Sequence, residues 1–269
     1  MIIDCFTFNK EFDLLEGRLE YLWNTVDYFV IVEADITFSG IPRQFSLVQQ
    51  LPRYRKYLNK ILYFPTTIDT SNLNFNTPVL KFDKNAAAWQ VERAQRNHFL
   101  TALHLFRDAD TVIISDVDEI PSKAGIRVAV DHLTSDTPLI GLKQQMFYYN
   151  FNQVQVDPWA GPVIAKRETV VSLTPEGVRE QRNKIPVVTN GGWHLSNWMS
   201  PEEISEKIKS FSHQEYNTDH FTDVNTITEN IKNGGDFLGR DYNKFIAFDS
   251  LTLPEDFRSI FLKYAQKSL

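Results

Sequence analysis

The sequence predicts an α/β fold with a mostly parallel central sheet and helices on both faces, and three stretches carry that prediction. Ile2 to Phe8, a helical pattern ending near Asn24, and Val26 to Glu33 make a strand–helix–strand unit within some thirty residues. A convincing amphipathic helix spans Ala86 to Phe106. It leads into Thr111-Val112-Ile113-Ile114-Ser115, a β-branched run that reads as a buried strand and ends on the acidic turn Asp116-Val117-Asp118-Glu119 before Ile120-Pro121.

Taken in order, the first strand gives way at Asn9-Lys10 to a helix whose Leu14, Leu15, Leu19, Tyr21 and Leu22 form a broad apolar face. The second strand, Asp27 to Glu33, is apolar enough to be central in a parallel sheet. Thr37 to Pro42 follow as a loop at its C-terminal end, the edge where open α/β sheets bind ligands. Ile61 to Phe64 form a short strand, and the Asn- and Thr-rich stretch from Ile68 to Lys84 reads as loop. In the helix beyond it Trp89, Glu92, Gln95 and Arg96 recur at three- and four-residue spacing, which gives one polar face around an indole. Gly125 to Leu133 reads as helix and Pro138 to Asn152 as strand segments. Pro186 to Ser196 reads as a strand interrupted by Gly191-Gly192, a pair that marks a bulge or a close backbone approach and could turn Trp193 and His194 into a site. Ser200 caps a helix from Pro201 to Ser210. No repeat or flexible linker divides the chain, so residues 1–269 read as one domain, with an N-terminal part of 1–120 and a second part of 121–269 that includes a C-terminal extension.

Composition narrows the function. With 28 Lys+Arg against 34 Asp+Glu, the net charge of -6 argues against nucleic acid as the partner. The single cysteine, Cys5, cannot form an intrachain disulfide and reads as packing in the first strand. The chain shows no leader pattern at its start and no apolar run of membrane-spanning length, which reads as a protein without an integral membrane segment and cytoplasmic in location.

The acidic turn is the strongest chemical signal. Carboxylates at the end of a buried strand must be paired, protonated or metal-bound, because an unpaired charge in a partly dry cleft costs several kcal/mol. In extended chain Asp116 and Asp118 share a face and could chelate one hard cation, Mg2+ or Mn2+, together with substrate phosphates. The competing reading is an ordinary acidic strand-to-loop turn.

At this point the pieces resemble a known family. Asp4 to Asn9, Glu11 to Glu16 with Arg18-Leu19, Val30 to Ala34, Thr37 to Gly40, Trp89, Glu92, Gln95-Arg96, Ser115 to Pro121, Gly191 to Ser196 and Phe211 to Glu215 resemble, in that order, glycosyltransferase family 17. The resemblance implies a GT-A-type, Rossmann-like fold and an inverting transferase. It would use Mn2+ or Mg2+ to move a sugar, N-acetylglucosamine in the best-known members, from a UDP-sugar to a glycan acceptor. Under it Asp118 binds the metal, Asp116 binds it through water or contacts the donor ribose, and His194 or His213 competes for a third position, with the glycine pair favouring His194. The base is Glu215, with Glu119 the alternate and Asp219 behind both. Glu33 meets the uridine or ribose unless it serves turn chemistry, and Glu92 and Arg96 orient toward the donor unless they are a surface pair. Arg240 contacts the diphosphate unless it is a solvated arginine. Trp193 stacks on a sugar or plugs the core, and His213 stands on the substrate side. A sugar-nucleotide hydrolase or phosphoryl-transfer enzyme, and a carbohydrate-binding protein without turnover, are the competing functions; neither a Walker A loop nor a His-rich metal cluster supports the former.

Overall fold

Alternation along the central strands decides the architecture. In the computed structural model, which describes residues 1–240 and 244–265, Ile3, Cys5, Val30, Val32, Val112 and Ile114 face one side of a sheet and pack on Phe99, Leu103, Val170 and Val178. Their neighbours Phe6, Phe29, Ile31 and Ile113 face the other side, against Leu15, Leu19, Ile126, Phe257 and Phe261. Two apolar faces require two layers of helix, and the predicted α/β class with helices on both faces is what the chain adopts.

The strands are β1 (Ile2–Thr7), β2 (Tyr28–Ala34), β3 (Ile61–Thr66), β4 (Thr111–Asp116), β5 (Glu119–Pro121), β6 (Leu139–Tyr148), β7 (Gln153–Gln155), β8 (Trp159–Lys166), β9 (Val187–Ser196) and β10 (Phe245–Ala247). Their order is β10-β7-β6-β8-β4-β1-β2-β3, with β9 paired to both β6 and β5. The four strands β3, β2, β1 and β4 are parallel. β8 runs antiparallel to both β4 and β6, so the sheet as a whole is mixed: the N-terminal half is parallel throughout, and in the C-terminal half β6 and β9 pair parallel among antiparallel neighbours. The reason is chain length: β6 and β8 are joined by residues 149–158, β7 included, too few for the crossover of a dozen or more residues that a parallel pair needs.

The helix read from Ala86 to Phe106 is two segments, Ala87–Asn97 and Phe99–Leu103, meeting at His98. Helix Pro201–Ser210 begins with the predicted Ser200 cap, completed as a capping box by Glu203. Helix Glu255–Ala265 closes the sheet by packing on helix Phe12–Leu22, where a β-carbon on Gly17 would lie 2.6 Å from the Phe261 ring.

Two devices shape the end of β4. Arg18 of helix Phe12–Leu22 is fully buried and grips Asp4 of β1 with both sides of its guanidinium (2.8 and 2.7 Å). The same group donates to the carbonyls of Asp116 (2.9 Å), Val117 (3.2 Å) and Glu119 (2.8 Å) and to the Ser115 hydroxyl (2.6 Å), while lying 4.5 Å from the centre of the Phe6 ring. One cation therefore neutralises a buried carboxylate and fixes the path of the acidic turn.

The second device is Gly191-Gly192. β9 enters between β5 and β6, and Gly192 has φ +139°; a β-carbon there would stand 2.1 Å from the Ile120 carbonyl oxygen, and one on Gly191 2.6 Å from the Leu142 β-carbon. The close approach read from the sequence is thus real, and it sets His194 opposite Glu119. Gly192→Ala is expected to force β5 and β9 apart and to lower stability by about 2 kcal/mol or more, as strained backbone and overpacking together do. Chemical denaturation of the purified variant checks this, and an unchanged midpoint would contradict it.

Candidate active site

The C-terminal ends of the parallel strands open into a cleft of about 310 Å³. Thr7, Phe8 and Asn9 line it after β1, Thr37 and Phe38 after β2, and Asp116, Val117 and Asp118 after β4; Trp159, His194, Lys207 and His213 form the opposite wall. This is the crevice at which open α/β sheets receive ligands.

The two aspartates of the turn have different surroundings. Val117 and Asp118 form a two-residue turn between β4 and β5, so the shared face expected from an extended chain does not exist. Asp116 pairs through one oxygen with Arg96 (3.1 Å) and through the other with Arg179 (2.9 Å). Burial works to raise its carboxyl, but Arg179 and Arg96 outweigh it and hold the group well below the ordinary carboxylate range. Asp116 still shows 36% of its side chain, enough to meet a ligand. Asp118 lies beside His194 (Oδ2 to Nε2, 3.5 Å) and Lys207 (3.4 Å). Burial pushes the Asp118 carboxyl up, yet these two neighbours prevail and set it at about 2. It is therefore ionised at neutral pH, facing an imidazole whose other nitrogen, Nδ1, is buried without a hydrogen-bond partner among the described residues.

Around this pair the charges are interlocked. Arg96 is buried and bonds Glu92 (2.7 Å) and Glu176 as well as Asp116, so Glu92 and Arg96 form the internal ion pair rather than a surface one. Arg179 bonds Glu119 (2.5 Å) and the Gly161 carbonyl (2.6 Å). Arg182 is the exception: it lines the cleft, packs over the Trp159 ring at 5.8 Å, and has no ion pair among the described residues. Burial and the adjacent Arg179 lower its pKa. A half-buried guanidinium in this state is a ready anion site.

Several expected site residues are placed elsewhere. Glu33 is fully buried outside the cleft, accepting from the Ser46 and Leu47 amides, the Ser46 hydroxyl and the Tyr63 hydroxyl; it fastens a loop instead of meeting a nucleotide. Glu119 is also fully buried, with its oxygens taken by Arg179, the Trp159 indole and the Asp116 amide, which leaves none for an acceptor proton. Trp193 plugs the core, stacked on Phe257 with ring centres 3.8 Å apart. Glu215 does not line the cleft; it accepts from His213 Nδ1 at 2.7 Å, and His213 lines the cleft in its place. Arg240 lines the cleft while bonding Asp236 and the Tyr148 hydroxyl. Asp219 opens a short helix, Asp219–Thr222, away from the cleft lining. Among the described residues no group of three or more His, Cys, Asp and Glu side chains converges as a complete metal cage.

The model of glycosyltransferase family 17 matches residues 1–249. The chain belongs to glycosyltransferase family 17. Two curated proteins with which this family 17 chain shares sequence are the β-1,4-mannosyl-glycoprotein 4-β-N-acetylglucosaminyltransferases of Rattus norvegicus and Homo sapiens, each 24% identical over 270 aligned positions and 88% of this chain. The chain spans about half the length of these relatives, 48% and 49%. Among solved structures it is similar to the galactosyltransferase LgtC in complex with donor and acceptor sugar analogues, with 11% identity, 99% of this chain and 95% of that chain covered, and a TM-score of 0.37. A 4-diphosphocytidyl-2C-methyl-D-erythritol synthase from Anaerococcus prevotii gives 9% identity, coverage of 70% and 86%, and a TM-score of 0.41. No helix among the described residues of this family 17 chain is long and apolar enough to cross a membrane.

Arg179, Arg182, Lys207, Trp159 and Glu11 also line the cleft, beyond the residues expected from the sequence. A pair of arginines three apart at a helix end was the one signal for the first two; the others become visible only when β8 and helix Pro201–Ser210 fold over the turn. Glu11 bears on stability. Burial raises its carboxyl above the ordinary value against the opposing pull of Lys207. A carboxyl with a raised folded-state pKa costs nothing below its unfolded pKa, and the cost grows to its full size as pH rises past the folded value. Glu11→Gln keeps an acceptor for the Asn9 amide, so it is expected to raise Tm at pH 7 and to lose that advantage at about pH 4. Thermal melts at the two pH values check the sign; a variant less stable at pH 7 would contradict it.

Proposed function

We propose that this chain is an inverting, metal-dependent transferase that moves N-acetylglucosamine from a UDP-sugar to a hydroxyl of a glycan. The observation that carries this reading is the meeting of Asp118 and His194 inside a parallel-sheet crevice that Arg182, without an ion pair among the described residues, also lines. Family membership supports glycosyl transfer, and the relatives' names support the sugar. The strand order β3-β2-β1-β4 with its acidic turn supports the GT-A-type expectation.

Divalent metal fits the residues present. Asp118 offers a carboxylate oxygen, and His194 Nε2 offers a nitrogen 3.5 Å away, within one cleft. Two protein ligands completed by substrate phosphates is the ordinary mode for Mg2+, and a mixed oxygen–nitrogen pair also suits Mn2+. When bound, such an ion neutralises charge on the departing diphosphate. Asp116, held by Arg96 and Arg179, presents its exposed edge to the donor ribose. Arg182 and Lys207 take diphosphate oxygens, and Arg240 approaches from the far side of the cleft.

The acceptor oxygen attacks the anomeric carbon from the face opposite the diphosphate. A carbon–oxygen bond forms as the bond to the β-phosphate oxygen breaks, the electron pair leaves with UDP, and the hydroxyl proton passes to His213. With Nδ1–H donating to Glu215, His213 keeps its Nε2 lone pair for that proton, so Glu215 is a positioning residue. Glu215→Gln is expected to lower kcat roughly 100-fold, the lower end of what general base catalysis contributes, with donor KM unchanged. Equal losses in UDP affinity would contradict the assignment.

Titration of UDP into the protein with and without Mn2+ tests the donor site. Metal-dependent binding is expected, and Asp118→Ala is expected to weaken it by more than the roughly 10–100-fold that loss of a supporting contact costs. UDP binding that ignores Mn2+ would overturn the metal assignment. UDP release in the presence of donor alone at the full rate would favour a hydrolase, and absence of UDP binding would favour a carbohydrate-binding protein.

A further inference from the structure

A second cavity, of about 810 Å³, lies beside the donor cleft and takes no part in the chemistry above. Its main wall is the long stretch between β3 and helix Ala87–Asn97, which has no helix or strand from 67 to 86. Loops of more than about 12–15 residues without secondary structure are uncommon in a folded domain unless they bind something or are disordered. This one is anchored: the Phe75 ring covers Gly40, whose φ of +88° and lack of a β-carbon admit it, and Arg93 donates to the Lys84 carbonyl at 2.6 Å.

The two cavities share a wall. Trp89 and His213 line the donor cleft, while the adjacent Ala88, Gln90 and Gln214 line the second cavity. Phe82 packs edge-on against Trp89, with ring centres 5.4 Å apart, and stands 6.0 Å from the His213 ring. The second cavity therefore adjoins the part of the cleft lined by His213, one aromatic wall away.

The chemistry of that cavity is specific. Six carboxamides line it: Asn72, Asn74, Asn85, Gln90, Gln214 and Asn217. Lys81 and Asp83 are the charged lining residues among the described ones, and their charges cancel. Gln90 donates to the Asn85 carbonyl, Gln214 to the Phe211 carbonyl and Asn217 to the Gln214 amide oxygen, while Asn74 accepts from the Asn76 amide. With two hydrogens and two lone pairs each, the carboxamides keep a donor and an acceptor for a ligand, which matches the paired character of neighbouring sugar hydroxyls. A phosphate-bearing or acidic ligand would instead require clustered cations. The loop also carries Leu80, 90% exposed, in the cavity lining, and Phe82, 57% exposed, against Trp89.

We infer that this cavity is an acceptor subsite for a neutral oligosaccharide, holding sugar units beyond the one whose hydroxyl reacts at His213. The inference rests on the transferase reading for its direction along the cleft, but the cavity's ligand class stands on its own lining. It assigns acceptor recognition to the 67–86 loop and the 214–218 segment, and donor recognition to the other side of the Trp89–His213 wall.

Saturation-transfer NMR on the full chain, with mannotriose and N,N′,N″-triacetylchitotriose as neutral probes and a heparin-derived trisaccharide as the acidic one, tests it. At least one neutral trisaccharide is expected to bind, and the double substitution Asn72→Ala with Asn217→Ala is expected to weaken that binding at least fivefold. Both residues are exposed, so little stability is at risk. Leu80→Ala, at a side chain almost wholly in solvent, serves as a second variant and is expected to weaken binding in the same direction. UDP titration of the same variants is expected to be unchanged. Failure of both neutral probes, unchanged binding in both variants, or preference for the acidic probe would overturn the inference. If a neutral probe binds through these residues while UDP does not bind at all, the subsite stands and the transferase reading fails.

Discussion

The buried guanidinium of Arg18 is the constraint on which the site depends. A cation taken entirely out of water needs a counterion and hydrogen-bond acceptors for its remaining donors. Asp4 supplies the first, and the carbonyls of Asp116, Val117 and Glu119 supply the second. Satisfying Arg18 therefore determines how the chain turns after β4. It turns tightly, which divides the acidic run into an aspartate held by arginines, an aspartate facing the cleft and a glutamate buried beneath both. Removing one member of such a buried pair typically costs about 3–5 kcal/mol, so the turn is tied to the stability of the whole sheet.

From that division follows a separation of roles that the spacing of the residues conceals. Asp116 is neutralised by Arg96 and Arg179, and those arginines are in turn fixed by Glu92, Glu176 and Glu119. Such a network rigidifies the floor of the cleft, since every member is oriented by another. Asp118 stands outside it, with His194 and Lys207 as its ion-pair neighbours among the described residues. The glycine pair of β9 is what lets His194 come so near, because any side chain at Gly192 would strike the Ile120 carbonyl. Asp118, His194 and Arg182 thus line the cleft beside that network.

Much of the fold was legible in the sequence because its first half is built on regular signals. The alternation in β1, β2 and β4 exposes two apolar faces, Ser200 and Glu203 announce a helix, and Gly191-Gly192 marks a close approach. β8 was not legible: Trp159 to Lys166 has a proline and a glycine within it, and it owes its place to pairing with β4 and β6. The site was read unevenly for a physical reason. Asp118 and His194 belong to compact local runs, whereas Arg179, Arg182, Lys207 and Glu11 come from separate elements joined only in three dimensions. Glu33, Glu119 and Trp193 sit in equally conspicuous runs, but tertiary packing spends them on fastening the scaffold. Glu215, the expected base, stands behind His213, which lines the cleft while its Nδ1 bonds the Glu215 carboxylate, and the run of residues alone does not reveal which of the two faces the cleft.

The most direct test of this account separates the role of Arg18 in stability from its role in shaping the turn. Replacing Asp4 and Arg18 together by Leu and Met removes both buried charges, a change that is commonly neutral or stabilising. The carbonyls of Asp116, Val117 and Glu119 then lose their donor. Calorimetric titration of UDP with Mn2+ into this double variant should show a folded protein whose affinity has fallen at least tenfold. A folded double variant that binds UDP and Mn2+ as tightly as the parent would contradict the claim that Arg18 builds the donor site.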